Sequence, residues 1–343
     1  MALTIYYYGG DNRGVELTPV VSTVKWSGEV SQVYRKLEVE FINSVDMMTK
    51  LADPELAGQV VAYEDGQEFF RGLITSIDKK ADGRWSFVCK DIAWYTTKIE
   101  VIRIFRNMRA DQIIRNLCNS YGIDCGTLVN TGFVIGSMAF PDGASIRDIA
   151  VQAITLTTSA NRRRFAFFSD KGKMVLEERK KMVTKYKIED GITISDASLT
   201  QSIDDMYNSV IVTGTTGDEK NKRTLTAALR SNNSVTRFGL MQKVEKSDGA
   251  DNLTQAQVNA QAGNLLREKN TVQTQYSVNS ALGIVTAISG TAIYCNNALT
   301  GLVGGYYIVS DSHSWDDKGH TMDLTINTTD DLPKMKYQPP TDQ

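Results

Sequence analysis

FFRGLITSIDKKADGRWSFVC, residues 69–89, is the stretch on which the fold reading turns. A strand opens around Gly72, a polar turn holds Asp82-Gly83, and a second strand alternates through Trp85, Phe87 and Cys89. Near the other end, residues 304–326 read GGYYIVSDSHSWDDKGHTMDLTI and repeat the plan, with a turn at Lys318-Gly319 and alternation through Met322, Leu324 and Ile326. Gly72 to Gly83 is 11 residues and Gly305 to Gly319 is 14, so the two cassettes align with a three-residue gap. A period of two marks strands with one buried face. Two β cassettes of one kind, flanking a middle of different texture, suggest a chain that builds a ring rather than an enzyme.

Outward from the first cassette, residues 1–97 read as β throughout. Leu3–Tyr8, Lys25-Trp26, Tyr34–Phe41, Gln59–Tyr63, Glu68–Ile77 and Arg84–Lys90 are short segments rich in β-branched and aromatic residues. Gly9-Gly10-Asp11-Asn12, Asp53-Pro54, Asp65-Gly66 and Asp82-Gly83 separate them, the spacing of a barrel or sandwich. Residues 98–187 read as a small α+β domain. One helix is expected over 107–122, capped by Asn107 and stopped by Gly122; another starts at Ser145, with Asp148 three residues on. A hairpin follows, RRFAFFS and MVLEER joined by Asp170-Lys171-Gly172-Lys173. Residues 188–333 return to β, with Asn208–Thr213 and Thr224–Leu229 among the strands and an inserted helix over 254–269, where Thr254 and Gln257 spell a capping box. Residues 334–343 read as a loose tail. The fold class is therefore mainly β with an α+β middle.

The 343 residues suffice for two or three domains. A formal net charge of −2, from 38 basic and 40 acidic residues, gives no support to nucleic-acid binding, which needs a basic excess. Cys89, Cys118, Cys125 and Cys295 lack metal-ligand spacing and read as free thiols made in a reducing compartment. The N-terminus shows no signal peptide, and no run reaches the roughly 18 apolar residues of a membrane span. Synthesis in the cytoplasm, without membrane insertion, is the expectation.

Chemistry-bearing residues are few. His313 and His320 are the only histidines, with Asp316 and Asp317 between them. Imidazole and carboxylate are good zinc or nickel ligands, but no third dedicated ligand is apparent, so the pair reads as ordinary residues on a surface hairpin. Asp204-Asp205, Asp316-Asp317 and Asp330-Asp331 are adjacent pairs; neighbours on a strand point to opposite faces, which favours turn roles over acid–base work. Two histidines in one hairpin leave few places for a Ser-His or Cys-His pair, and neither G-x-S-x-G nor a Walker motif occurs. No catalytic residue, cofactor site or metal site is assigned. For partner contact the candidates are Tyr6, Tyr7 and Tyr8, a run that exposes at least one ring, and Arg162, Arg163 and Arg164, the strongest basic cluster. To these is added the charged loop holding Asp218, Glu219, Lys220, Lys222 and Arg223.

In this order of parts the chain resembles the baseplate hub proteins of contractile injection systems. The nearest form is the compact XkdQ-like family of Gram-positive prophage and bacteriocin operons, related to the late control protein D group. The resemblance covers about 1–333 and rests on succession: the 69–91 cassette, the helix ADQIIRNLCNSYGI, the Ser145–Ile154 helix with FAFFSDKGKMVLEER, the NSVIVTG strand at 208–214, the 254–269 helix and the closing hairpin. It implies a homotrimer with two tail-tube-like β-barrels per chain flanking the α+β domain. Three chains then present six barrels and match a six-fold tail tube to a three-fold central spike. It further implies a tail tube protein, a spike protein and other baseplate proteins as partners, in a virion tail or a released phage-tail-like particle. Spike and hydrolase functions are expected on separate proteins. A baseplate-associated peptidoglycan hydrolase and a receptor- or glycan-binding β module stay open as alternatives.

Overall fold

The first cassette lies inside a run of seven strands: β1 (Leu3–Tyr8), β2 (Gly14–Glu16), β3 (Val21–Glu29), β4 (Lys36–Ile42), β5 (Gln59–Glu64), β6 (Gln67–Lys79) and β7 (Arg84–Asp91). In this computed structural model, which describes residues 2–10, 13–43, 53–189, 196–217, 221–247, 253–317, 319–330 and 332–340, they pair antiparallel in the order β2-β1-β5-β6-β7-β4-β3. Alternation sets the core. In β4, Leu37, Val39 and Phe41 are buried while Glu38 and Glu40 are exposed. Ile5, Val24, Trp26, Val60, Phe70 and Phe87 complete the same cluster. Asp65 and Gly66 both take positive φ, the mirror-image turn that closes a two-residue hairpin, and fix Glu64 opposite Gln67.

The α+β segment follows as β8 (Glu100–Arg109), α1 (Ala110–Ser120), β9 (Cys125–Leu128), β10 (Val134–Ser145), α2 (Ile146–Asn161), β11 (Phe165–Asp170) and β12 (Lys173–Glu178). Ser145 caps α2 as its sequence indicates, its hydroxyl accepting from the Asp148 N–H at 3.0 Å. Asn107 does not cap α1. β8 runs on to Arg109, paired with Val134 across the sheet, and the helix starts only at Ala110. Ile113, Ile114 and Leu117 of α1 and Ile146, Ile149 and Ala150 of α2 share one core. The stretch expected as a loose tail from 334 is described to residue 340. It lies against this core: the Tyr337 hydroxyl accepts from the Ala139 N–H at 2.8 Å, and its ring packs edge-on against Phe140.

β13 (Val183–Glu189) and β14 (Asp196–Ser202) lead on. The chain divides into two compact units, 1–198 with 276–343, and 199–275. The second holds β15 (Ser209–Thr216), β16 (Arg223–Arg230), α3 (Asn232–Phe238), β17 (Gln242–Lys246) and α4 (Gln255–Lys269). Its sheet runs β16-β15-β17, and α4 lays Val258, Ala262 and Leu265 on Val210, Val212 and Ala227. The Thr254–Gln257 capping box forms as its spacing indicates.

The first unit resumes at residue 276, within β18 (Gln273–Leu282), and continues with β19 (Ala292–Asn297), β20 (Leu302–Asp316) and β21 (Gly319–Asn327). β21 pairs antiparallel with β18 and β20, and β13 lies parallel to β19. Ile293, Cys295, Ile308, Met322, Leu324 and Ile326 form the core here. The fold is thus mainly β. One strand joins its two ends: the first half of β20 pairs with β19, and Ser310–Trp315 pair antiparallel with Val24–Glu29 of β3. Both cassettes belong to one continuous sheet.

Candidate functional site

The β3–β20 seam gathers the buried polar side chains that local sequence reading left unexplained. β20 places Asp311, His313 and Trp315 on one face by its period of two, and β21 adds His320 opposite Trp315. His313 is 0% and His320 5% exposed, so the surface-hairpin reading is corrected: the hairpin is an inner element, covered by β3 and by the loop that carries Gly283 and Ala287. Asp316 and Asp317 are exposed at its end and do not converge with the buried rings.

Arg35 reaches into the seam from the β3–β4 connection. Its guanidinium forks onto both Asp311 oxygens, Nη1 at 2.9 Å from Oδ1 and Nη2 on Oδ2, and lies 4.0 Å over the Trp26 ring. Burial pushes the Asp311 carboxyl up, but the Arg35 charge together with the hydrogen bonds from His313 and Arg35 more than offsets this and holds it well below the usual carboxylate range. Deeper in, the His313 Nδ1 and His320 Nε2 face each other at 3.0 Å. His313 Nε2 lies 3.2 Å from the Ala287 carbonyl and 3.4 Å from Asp311 Oδ2. His320 Nδ1 lies 2.7 Å from Glu64 Oε1, which also accepts from the Trp315 indole N–H at 2.9 Å. Burial lowers the affinity of His313 for a second proton, and Asp311 offsets this only in part. Burial would raise the Glu64 carboxyl, yet the His320 ring beside it and the Trp315 hydrogen bond leave it below its ordinary value. Trp315 stacks on His320 at 4.0 Å and belongs to the core of the N-terminal strands, although β20 comes from the closing cassette.

The arrangement is a joint. Three of the four ring nitrogens are hydrogen-bonded, while His320 Nδ1 lies close to Glu64 without a hydrogen bond to it, and among the described residues no group of three or more His, Cys, Asp or Glu is set to hold a metal ion. No helix of the described residues is long and apolar enough to cross a membrane. All four cysteines are free, and Cys89, Cys118 and Cys295 are buried.

The contact candidates are placed as follows. Tyr7 is buried, its hydroxyl accepting from the Glu55 N–H at 3.1 Å, while Tyr6 and Tyr8 lie half-buried on the other face with Tyr63 edge-on to Tyr6. The three arginines do not form one strand: Arg162 ends α2 in the left-handed conformation and is exposed. Arg163 forks onto Glu178, holding that carboxyl well below its usual range, and Arg164 pairs with Asp330 at 3.3 Å. Asp204 and Asp205 sit exposed in a turn. Lys222 and Arg223 are exposed at the start of β16. Asp218, Glu219 and Lys220 lie outside the described residues, as do Asp11, Asn12, Lys318 and Asp331 of the expected turns and acidic pairs.

A family model described as YQBQ-like matches residues 24–327. The chain is 26% identical over 325 residues to the phage-like element PBSX protein XkdQ of Bacillus subtilis strain 168, covering 94% of this chain and 97% of that protein. Among solved structures it is similar to the 43 kDa tail protein of prophage MuSo2 from Shewanella oneidensis, with TM-score 0.70 at 11% identity over 94% of this chain and 98% of that one. It is also similar to the E. coli c3393 protein, described as a type VI secretion system component with structural similarity to T4 bacteriophage tail proteins gp27 and gp5. There the TM-score is 0.52 at 12% identity, over 94% of this chain and 76% of that one. At these identities the two structural likenesses show a shared fold.

Proposed function

Because the chain belongs to the YQBQ-like family, we propose that it is a structural protein of a phage-type tail and, within it, the baseplate hub. The tail assignment is supported by the names of the relatives and by a fold shared over nearly the whole length with a prophage tail protein. The hub assignment rests on one observation, the direct pairing of β3 with β20. It makes one chain carry two β modules edge to edge. On this reading residues 1–97 and 188–333 are two tail-tube-like barrels, 98–187 is the α+β domain between them, and the helix at 254–269 is an insertion. Closing a ring requires the same heterologous contact to be repeated. A chain with two modules has half of those contacts built in, so three copies complete a six-fold ring while keeping a three-fold face for a spike.

The partners proposed are further copies of the chain, a tail tube protein, a central spike protein and other baseplate proteins. Made in a bacterial cytoplasm, the chain would end up in a virion tail or a released tail-like particle. The half-buried Tyr6 and Tyr8, the exposed Arg162, and Lys222 with Arg223 are the contact residues proposed. The role is structural rather than enzymatic, in keeping with the tail proteins among its likenesses. Cryo-electron microscopy of particles assembled with a tagged copy tests the placement. Density for the tag at the junction of tube and spike is expected; a tag along the sheath, or absent from purified particles, would overturn the hub role.

A further inference from the structure

Two lysines face each other where a sheet ordinarily sets opposite charges. On the outer face of the N-terminal strands, β4 and β7 pair Lys36 directly with Lys90, and β6 continues the same row with Leu73. Like charges opposite one another on antiparallel strands destabilise the pairing. Lys98 adds a third positive charge here: burial first, then the fields of Lys36 and Lys98, lowers the hold of Lys90 on its proton. No carboxylate among the described residues forms an ion pair with any of the three. Glu38, two residues along the same face, stands opposite Val88 and has Lys25 as its other cross-strand neighbour.

Lys36 and Lys90 line a groove of about 670 Å³ together with apolar walls from Leu56, Leu73, Val88 and Tyr95. Leu73 and Tyr95 also line a second groove of about 600 Å³, which adds Lys171 and Lys173 against one acidic residue, Asp124. The shared residues make the two grooves one trough, apolar along its length and cationic in both halves. A basic trough with aromatic rings brings nucleic acid to mind, but the rings are differently used. The Lys90 ammonium lies 5.3 Å from the Tyr34 ring centre and 5.4 Å from that of Trp94, and Lys98 lies 5.8 Å from the Trp94 ring centre. These rings seat cations rather than offering stacking platforms for bases. The arginine that lines the trough, Arg71, is already forked onto Glu68 and does not present the fork that grips phosphate. Carboxylates alternating with apolar side chains fit this surface better.

We propose that the trough is a docking surface for an acidic, extended segment of a partner protein, whose carboxylates pair with Lys36 and Lys90 and whose apolar side chains cover Leu73, Val88 and Tyr95. The lysine pair is then a repulsion that the free chain carries and docking relieves, so charge selects the partner. The surface belongs to the first unit alone and does not depend on the tail assignment.

The test uses the full chain and a fluorescently labelled peptide of alternating glutamate and valine, read by anisotropy. The same peptide with glutamine for glutamate, and an oligothymidylate of equal charge, are the comparison probes. Binding of the glutamate peptide is expected, weakened about tenfold or more between low salt and about 0.3 M salt. Lys36→Glu turns the like-charge pair into an opposite one without touching the Trp94 ring. It is expected to raise the melting temperature by about 1–3 °C while weakening the peptide about tenfold. Lys36→Gln, which removes the repulsion without adding a charge, should move both quantities in the same directions. A glutamate peptide that does not bind, a glutamine peptide that binds as well, or an oligothymidylate that binds more tightly would overturn the proposal. So would variants that keep full affinity or melt lower than the unsubstituted chain.

Discussion

Arg35 and Asp311 stand 276 residues apart in sequence and share a buried bidentate contact. Removing one partner strands the other as an unpaired buried charge, so Arg35→Met or Asp311→Asn is expected to cost about 3–5 kcal/mol by urea unfolding. Replacing both by apolar residues should recover much of that loss. Trp315→Phe keeps a stacked ring but deletes a hydrogen bond to Glu64, with an expected cost of about 1–3 kcal/mol. Gly283 matters for space rather than for φ, since a Cβ there would sit 2.1 Å from the His320 ring; Gly283→Ala must push the ring out of line. Acid has its own effect. The unfolded chain takes up a proton that buried His313 resists, so stability falls as pH drops below about 6.5. The lowered Asp311 and Glu64 carboxyls add to this: their contribution is complete above about pH 4 and is lost as pH falls through their folded values. The melting temperature should therefore fall on the acid side of about pH 6.5, and a value unchanged between about pH 7 and about pH 4 would contradict the roles given to His313 and the two carboxylates.

The face that buries the histidines was legible in the sequence. His320 has the parity of Met322, Leu324 and Ile326, the stripe already read as apolar, and that signal places it inside. What local pattern cannot say is which distant strand covers a face, and so Glu64 and Arg35 could not be named as partners. The same divide holds for whole elements. Helix starts governed by side-chain caps were readable: Ser145 and Thr254 both cap as spelled. The start of α1 was not, because cross-strand pairing of Arg109 with Val134 extends β8 past Asn107. Thr254→Ala is expected to cost the 199–275 unit about 1 kcal/mol. β20 is the element that carries the architecture, 15 residues serving two neighbours in succession on one edge and β21 on the other. Its amides over 310–315 should exchange with solvent as slowly as those of β4, which lies inside the same sheet. Exchange at the rate of a frayed hairpin would show that the seam is not part of the stable core.

For the whole molecule, the two cassettes belong to one sheet, with β3 and β4 between them, where the sequence suggested only a likeness between two ends. A trimer follows from the β3–β20 pairing as a proposal: two modules per chain, three chains, six places around a tube. Mass measurement by light scattering, on the purified chain alone and mixed with its tube and spike proteins, tests this most directly. We expect a species of three times the chain mass, alone or in at least one mixture. A chain that stays monomeric in every mixture would contradict the hub.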